Sequence, residues 1–163
     1  MSQRLQSIFF FLSALLFALL FFLPLAEYLG EINILQFNAY GVESLLPDGE
    51  VPFGKWYALP VLVLTLTAML LGGYLAISLH KAIKMKDFAR LHRVACIDIV
   101  VIVAWIALVF AYYIRAVGMS INVMQPEYKV GSFLPLASLI LVLLGLTGLR
   151  KDIKKVRSTD RIR

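Results

Sequence analysis

The amino-acid sequence predicts an all-α membrane protein, in which a bundle of four transmembrane helices carries a small extracytoplasmic β-hairpin cap. The 163 residues are 61% hydrophobic, with a mean hydropathy of +0.85, whereas a soluble domain is close to half apolar. Four apolar stretches are each long enough to cross a bilayer core, which takes roughly 20 helical residues. Most Lys and Arg residues lie on one side of these stretches.

The expected spans cover residues 5–28, 56–80, 92–114 and 130–150 of a single membrane domain. The first span is uncharged from Leu5 to Ala26 and lacks a small-x-small cleavage site. It is also longer than the apolar core of a signal peptide, which has about 7–15 residues. We therefore expect it to be retained as a true span.

The distribution of charge predicts the orientation of the spans. Of the 16 Lys and Arg residues, only Lys55, Arg115 and Lys129 fall in the expected outer loops, residues 29–55 and 115–129. The positive-inside rule then places both termini of the multi-pass protein in the cytoplasm. The net charge of +6 is mostly a signal of topology, so we expect a lipid bilayer and no nucleic acid as partner. Aromatic residues at the outer ends of the spans agree with this orientation: Tyr28, Trp56, Tyr57, Tyr112, Tyr113 and Tyr128.

The outer loops predict the cap. Residues 29–55 contain a β-leaning stretch, followed by turn residues at Gly41 and Pro47-Asp48-Gly49, which indicates a hairpin. Residues Ser120 to Met124 offer one further strand. The cap is either purely structural or a surface for a ligand or partner.

The connection between the second and third spans is expected to turn near Met85 and Lys86, with Asp87 capping the helix that follows. The basic tail, residues 150–163, continues the fourth span as an amphipathic helix with Leu149, Ile153 and Val156 on one face. We expect this helix to end near Arg157. The tail is either an anchor to lipid headgroups or a docking site for a protein.

Residues within the spans indicate how the helices pack. Trp105 and Tyr74 lie mid-span and are expected to be packing residues. Glycines allow helix backbones to approach closely in lipid, and the second and fourth spans contain Gly72, Gly73, Gly145 and Gly148. Hydroxyl groups inside helices often bond to a carbonyl of their own helix, which we expect for Thr65, Thr67 and Ser138.

Asp98 is the only charged residue in the apolar stretch of the third span from Val94 to Ile114, and charged residues inside spans are functional candidates by default. Phe88, Leu91 and Ala95 share its helix face. It lies about 7.5 Å of helix beyond Arg93, near the cytoplasmic edge of the core. Arg4, Arg93, His80 and Ser78 are the candidate partners of its carboxyl group; a proton- or ion-handling role is the alternative.

Other chemistry has weak support in the sequence. His80 and His92 are expected at a similar depth, but their spacing is not that of a zinc site. The single cysteine, Cys96, excludes an intrachain disulfide. No P-loop, GxSxG or HExxH motif and no nucleophile–base pair is present, so we expect no enzyme activity, cofactor or metal.

The two ends of the sequence carry its most specific patterns. Gln3, Arg4 and Gln6 form a Gln-Arg-x-Gln sequence, and Gly131 with Pro135 forms a Gly-x-x-x-Pro sequence at the start of the fourth span. The tail reads Lys-Asp-x-x-x-Val-x-Ser-x-Asp-Arg, formed by Lys151, Asp152, Val156, Ser158, Asp160 and Arg161. In these patterns the chain resembles, over its whole length, the bacterial inner-membrane family catalogued as domain of unknown function 4293. A Glu that usually follows the first Asp of the tail is Ile153 here.

The resemblance implies a four-span protein of Gram-negative bacteria and transfers no catalytic residue or ligand. It includes the positions of Ser158, Asp160 and Arg161, which an electrostatic anchor alone does not need, and this favours a docking role. The leading hypothesis is a non-enzymatic accessory or scaffold subunit of a membrane complex, with a membrane protein or a second copy of the chain as partner. The alternative is a small transporter or proton-coupled carrier that uses Asp98.

Overall fold

The structure is a computed structural model that describes residues 3–30, 34–47, 49–54, 56–81, 85–122 and 126–160, with the backbone alone for residues 3, 4, 80, 85, 86 and 156–160. The chain is mostly helical, with a small antiparallel sheet. Its elements in order are α1 (Gln3–Leu19), β1 (Ala26–Leu29), β2 (Ile34–Asn38), β3 (Gly41–Ser44), α2 (Leu59–Lys81), α3 (Met85–Leu108), a π-helical turn (Val109–Tyr113), α4 (Ile114–Ser120), β4 (Glu127–Tyr128), a 3-10 turn (Val130–Phe133) and α5 (Leu134–Asp160).

Three helical segments in the described part of the chain are long and apolar enough to cross a membrane: Leu59–Leu79, Asp87–Ser120 and Val130–Lys155. The apolar part of α1, Leu5–Leu19, is shorter than a full span. The expected first span, residues 5–28, is therefore too long as a helix. Hydrogen-bonded turns follow α1 as far as Leu23, and Pro24 then prevents a helical continuation because it has no backbone N–H and disfavours helical geometry at Leu23.

The helices pack in pairs around an apolar interior. α1 contacts α2 and α5, and α3 also contacts α2 and α5. Trp105 is fully buried, as predicted, with its ring perpendicular to Phe17 at a centroid distance of 6.1 Å and its indole N–H donating to Thr65 Oγ1 at 2.8 Å. Tyr74 is not a core residue, since 46% of it is exposed. It falls outside the i, i+3, i+4 stripe of α2 that runs through Thr65, Ala68 and Leu75.

The helix that begins with α3 is longer than predicted. From Asp87 to Ser120 it has 34 residues, or about 50 Å, against a hydrocarbon core of about 30 Å. The expected loop from residue 115 and the expected strand at Ser120 to Met124 are therefore wrong: Ser120 is helical, Ile121 and Asn122 form a turn, and the remaining two residues lie outside the described part. The helix persists because Ile114 and Val117 are buried.

The sheet confirms the predicted hairpin and extends it. Its strand order is β3-β2-β1-β4, and all neighbours are antiparallel. β2 and β3 form the hairpin through a two-residue connection at Ala39 and Tyr40. β1 comes from residues expected in the first span. Tyr28 joins the sheet to α4, because its hydroxyl donates to the Ile114 carbonyl at 2.9 Å.

Two helix boundaries differ from the sequence prediction. α3 begins at Met85, so Met85 and Lys86 are helical where the turn was expected, and Asp87 lies in the first helical turn instead of capping it. α5 continues to Asp160, beyond the expected end near Arg157. Adding a residue to an existing helix costs little, and Ser and Thr are only mildly unfavourable in helices.

Candidate functional site

Asp98 is the only one of the six predicted site residues whose side chain the structure describes. Arg4 lies in α1, His80 in α2, and Ser158 and Asp160 in α5, each with the backbone alone described. Arg161 lies outside the described residues. The geometry of the candidate site therefore comes from Asp98 and from described residues at the same end of the helices.

Asp98 is fully buried, and within the described part of the chain neither of its carboxyl oxygens has a hydrogen-bond partner. The predicted inward face is confirmed, since Phe88, Leu91 and Ala95 are buried with it. Arg93 points to the exposed side of α3, and Ser78 does not bond to Asp98. Because an unpaired carboxylate is costly to bury, this position favours a bound proton or a cation at the carboxyl group.

A hydrogen bond joins α1 to α5 near the two ends of the chain. The amide Nε2 of Gln6 donates to Asp152 Oδ2 at 2.6 Å. Gln6 is fully buried, and its Oε1 has no partner among the described residues. Both residues belong to the terminal patterns of the sequence, but the patterns alone did not indicate that the two residues meet.

The α1–α5 seam is the contact between these helices from Gln6–Asp152 to Ser13–Ser138. Ser13 and Ser138 are buried with their hydroxyl oxygens 2.6 Å apart. Ser138 therefore bonds to α1 and not to its own helix, whereas Thr65 and Thr67 do bond to carbonyls of α2. Between the polar pairs, Phe10 lies against Gly145, where an added Cβ would stand 2.8 Å from its ring.

The glycines predicted to bring helices together divide into two groups. A Cβ added at Gly148 would lie 2.8 Å from the Gln6 side chain, and one added at Gly72 would lie 3.2 Å from Ala14 Cβ. At Gly73 the same atom would have nothing within 4 Å. The close approach is therefore a property of α1, which packs on the glycines of α2 and α5.

The segment that follows α1 also contacts the turn that precedes α5. Gly131 lies against the Pro24 carbonyl, where an added Cβ would stand 2.9 Å from the carbonyl carbon. The Ser132 hydroxyl and the Lys129 amide both donate to the Leu25 carbonyl, the latter at 3.1 Å. The glycine of the Gly-x-x-x-Pro pattern thus allows the backbone after α1 to reach the turn before α5.

α3 and α5 meet at the same end as Gln6 and Asp152. Arg150 Nε donates to His92 Nε2 at 3.2 Å, and Cys96 Sγ lies 3.8 Å from His92 Nδ1. The hydrogen bond from Arg150 thus links α5 to α3. The pairing of His92 with His80 lies outside the described side chains, and no group of three metal-ligating side chains occurs in the part that is described.

The basic tail begins as a packed helix. Leu149 is buried and Ile153 packs against the core, while Arg150, Lys151 and Lys154 are exposed. The amphipathic pattern is therefore present as far as Ile153. α5 has 27 residues, or about 40 Å, and so exceeds a hydrocarbon core of about 30 Å by about seven residues.

Comparison with protein families gives one result of wide coverage. The family model described as Domain of unknown function (DUF4293) matches residues 2–162. Comparisons with curated proteins and with solved structures give no match.

Proposed function

The chain belongs to the DUF4293 family, and we propose that it is a non-enzymatic accessory or scaffold subunit of a bacterial inner-membrane complex, which docks to a partner protein through its basic tail. In this proposal the four helices form a bundle and both termini face the cytoplasm. α1 completes the fourth crossing together with the turns that follow it to Leu23.

The observation that supports docking most directly is the continuous helix α5, which extends to Asp160. Its first basic residues, Arg150, Lys151 and Lys154, are exposed. The Gln6–Asp152 hydrogen bond and the packing of Ile153 hold the helix where it leaves the apolar core. A partner with an acidic face would therefore meet a preorganised helix, which lowers the entropy cost of binding.

A lipid anchor needs only the charge of the tail, whereas a docking site also needs the tail residues in their specific sequence order. This difference sets the experiment. Residues 154–163 are scrambled with their composition unchanged, and Asp152 and Ile153 stay in place to preserve the α1–α5 seam. Wild-type and scrambled chains are then purified gently from native membranes into lipid nanodiscs, and co-purifying proteins are quantified by mass spectrometry.

We expect a stoichiometric partner with the wild type and its loss with the scrambled tail, at an unchanged unfolding temperature. A partner retained by the scrambled chain would refute docking through the tail. Recovery of the wild type alone, or only with further copies of itself, would refute the accessory-subunit proposal and leave an autonomous protein or a homo-oligomer.

The orientation has its own test. Cys96 is first replaced by Ser, and a single cysteine is introduced by Tyr40→Cys in the hairpin or Thr159→Cys in the tail. Intact spheroplasts should label only the hairpin variant with a membrane-impermeant maleimide, and permeabilised cells should label both. The reverse pattern would contradict the proposed orientation.

The buried Asp98 favours a second function, a proton-coupled carrier. Its support is that neither carboxyl oxygen has a partner in the described part of the chain. Proton flux into proteoliposomes is measured with an entrapped pH-sensitive dye for wild type, Asp98→Asn and Asp98→Glu. Flux that is absent in the wild type, or unchanged by Asp98→Asn, would exclude this function.

A further inference from the structure

The end of α4 creates a recess on the side of the molecule that carries the sheet. After Ser120 the helix closes with Ile121 and Asn122, whose amides bond to the carbonyls of Gly118 and Met119. Asn122 has a φ of 57°, a left-handed conformation that Asn adopts more readily than most residues and that commonly ends helices. The chain then returns as β4, which pairs with β1.

A cavity of about 710 Å³ lies between α4 and the returning chain. This volume is within the range of about 300–1,000 Å³ that is typical of sites for small molecules. One part of its lining is apolar and includes Phe110, Ile114 and Met119. The ring of Phe110, in the π-helical turn, stacks on Tyr128 at 5.9 Å and so links the helical wall to β4.

Arg115 gives this cavity a cation that no residue of the described chain neutralises. It is exposed, lines the cavity, and makes no hydrogen bond or ion pair with any other described residue. Lys129, by contrast, is paired with Glu27 at 2.7 Å and with Glu127 at 3.2 Å. Residues 123–125, which lie outside the described part, are Val, Met and Gln and carry no charge.

The polar and apolar parts of the cavity lie at different depths. The helix rises about 30 Å over the twenty residues from Arg93 to Tyr113, which equals the thickness of one hydrocarbon core. Phe110 then lies within the hydrocarbon, and Arg115 lies about 3 Å beyond its edge. Phe110 is thus at the level of the acyl chains, Ile114 lies at the edge, and the Arg115 guanidinium group is at the level of the headgroups, with Met119 about 9 Å beyond the edge.

We propose that this cavity binds one acidic phospholipid. The Arg115 guanidinium holds the phosphate, for which its planar set of donors is suited, and Phe110 and Ile114 contact the first carbons of the acyl chains. A soluble anion would leave the apolar wall without a partner, and a zwitterionic lipid would place a second cation near Arg115. This site is independent of docking through the tail, so either proposal can fail without the other.

Short-chain lipids test the site with the full-length chain in a non-ionic detergent. Dissociation constants are measured by native mass spectrometry for dihexanoyl phosphatidylglycerol, dihexanoyl phosphatidylcholine and glycerol phosphate. We expect phosphatidylglycerol to bind about tenfold more tightly than phosphatidylcholine, as one charge-assisted contact allows. Glycerol phosphate should not bind at the same concentrations. Equal binding of the two lipids would overturn the proposal, and tight binding of glycerol phosphate would show a soluble-anion site instead.

Three variants locate the binding on Arg115. Arg115→Gln should weaken phosphatidylglycerol about tenfold and leave phosphatidylcholine unchanged, while Arg115→Lys should restore most of the preference. Arg90→Gln, an exposed cation at the opposite end of the helices, is the matched control and should retain the wild-type preference. If Arg115→Gln binds phosphatidylglycerol as the wild type does, or if Arg90→Gln weakens it equally, the site is not the Arg115 cavity.

Discussion

The amide of Gln6 donates a 2.6 Å hydrogen bond to the carboxylate of Asp152, across 146 positions of sequence. The first turns of α1 and the last turns of α5 are thus joined where the tail leaves the apolar core. Two terminal patterns that are far apart in the sequence become one contact. Asp152 therefore stabilises the fold, whereas the exposed cations around it are available to a partner.

Asp152→Ala should destabilise the protein by about 1–3 kcal/mol, because it leaves the buried amide of Gln6 without its hydrogen-bond acceptor. The free energy of unfolding is measured by titrating the detergent-solubilised protein with sodium dodecyl sulfate. Lys151→Ala, at the exposed neighbouring position, is the control and should change stability by less than about 0.5 kcal/mol. Equal effects of the two variants would show that the hydrogen bond contributes nothing specific.

Gly148→Ala should destabilise by about 1–3 kcal/mol, because its new Cβ meets the buried Gln6 side chain at 2.8 Å. Gly73→Ala adds the same atom to α2 with nothing within 4 Å, so it should be neutral or slightly stabilising. The same unfolding titration compares the two. A larger loss at Gly73 than at Gly148 would contradict the packing of α1 on α5.

Ser13→Ala and Ser138→Ala should be coupled, because the two hydroxyl groups bond to each other in the interior at 2.6 Å. A double-mutant cycle should give an interaction energy of about 0.6 kcal/mol, the average for hydrogen bonds between membrane helices. Thr67, whose hydroxyl bonds only to its own helix, supplies the control, and Thr67→Ala combined with Ser13→Ala should be additive. Additivity in both pairs would contradict the Ser13–Ser138 contact.

Alkaline pH should loosen the attachment of the sheet. Burial, with smaller contributions from Tyr128 and Tyr57, raises the pKa of the Tyr28 hydroxyl above its ordinary value of 10.0. Hydrogen bonds to Glu27 and Glu127 likewise raise the pKa of Lys129 above 10.5. Both protonated forms are favoured in the folded state, so their stabilisation is complete below about pH 10 and is lost as the pH rises through the folded pKa.

The measurement is the unfolding temperature between about pH 8 and pH 12. Tyr28→Phe should lower it at neutral pH, because the hydrogen bond to Ile114 is lost, and should make the alkaline decline shallower. A decline as steep as that of the wild type would mean that Tyr28 does not contribute to it.

The sequence predicted features that depend on local pattern. The β2–β3 hairpin follows from β-leaning residues between turn signals, and the buried face of α3 follows from the spacing of Phe88, Leu91 and Ala95. Asp98 was also correctly placed on that face. Three of the four predicted spans correspond to helices that are long and apolar enough to cross a membrane, within the described part of the chain.

Features that depend on distant contacts could not be predicted in this way. β1 is apolar enough to extend a helix, but its backbone pairs with β2 and β4. The helix continues past Tyr113 because Ile114 and Val117 are buried in the tertiary structure, which a one-dimensional pattern does not specify. The Gln6–Asp152 and Ser13–Ser138 pairs likewise require the two ends of the chain to be side by side.

The α1–α5 seam also has a consequence for biogenesis. During synthesis α1 is made first, and α5, which provides the partners of Gln6 and Ser13, is made last. Until α5 has been made, these polar groups have no native partner; in the membrane arrangement proposed above, lipid would offer them few alternatives. A nascent chain that stalls before residue 138 therefore lacks the native partners of both groups, which distinguishes unfinished chains chemically from finished ones.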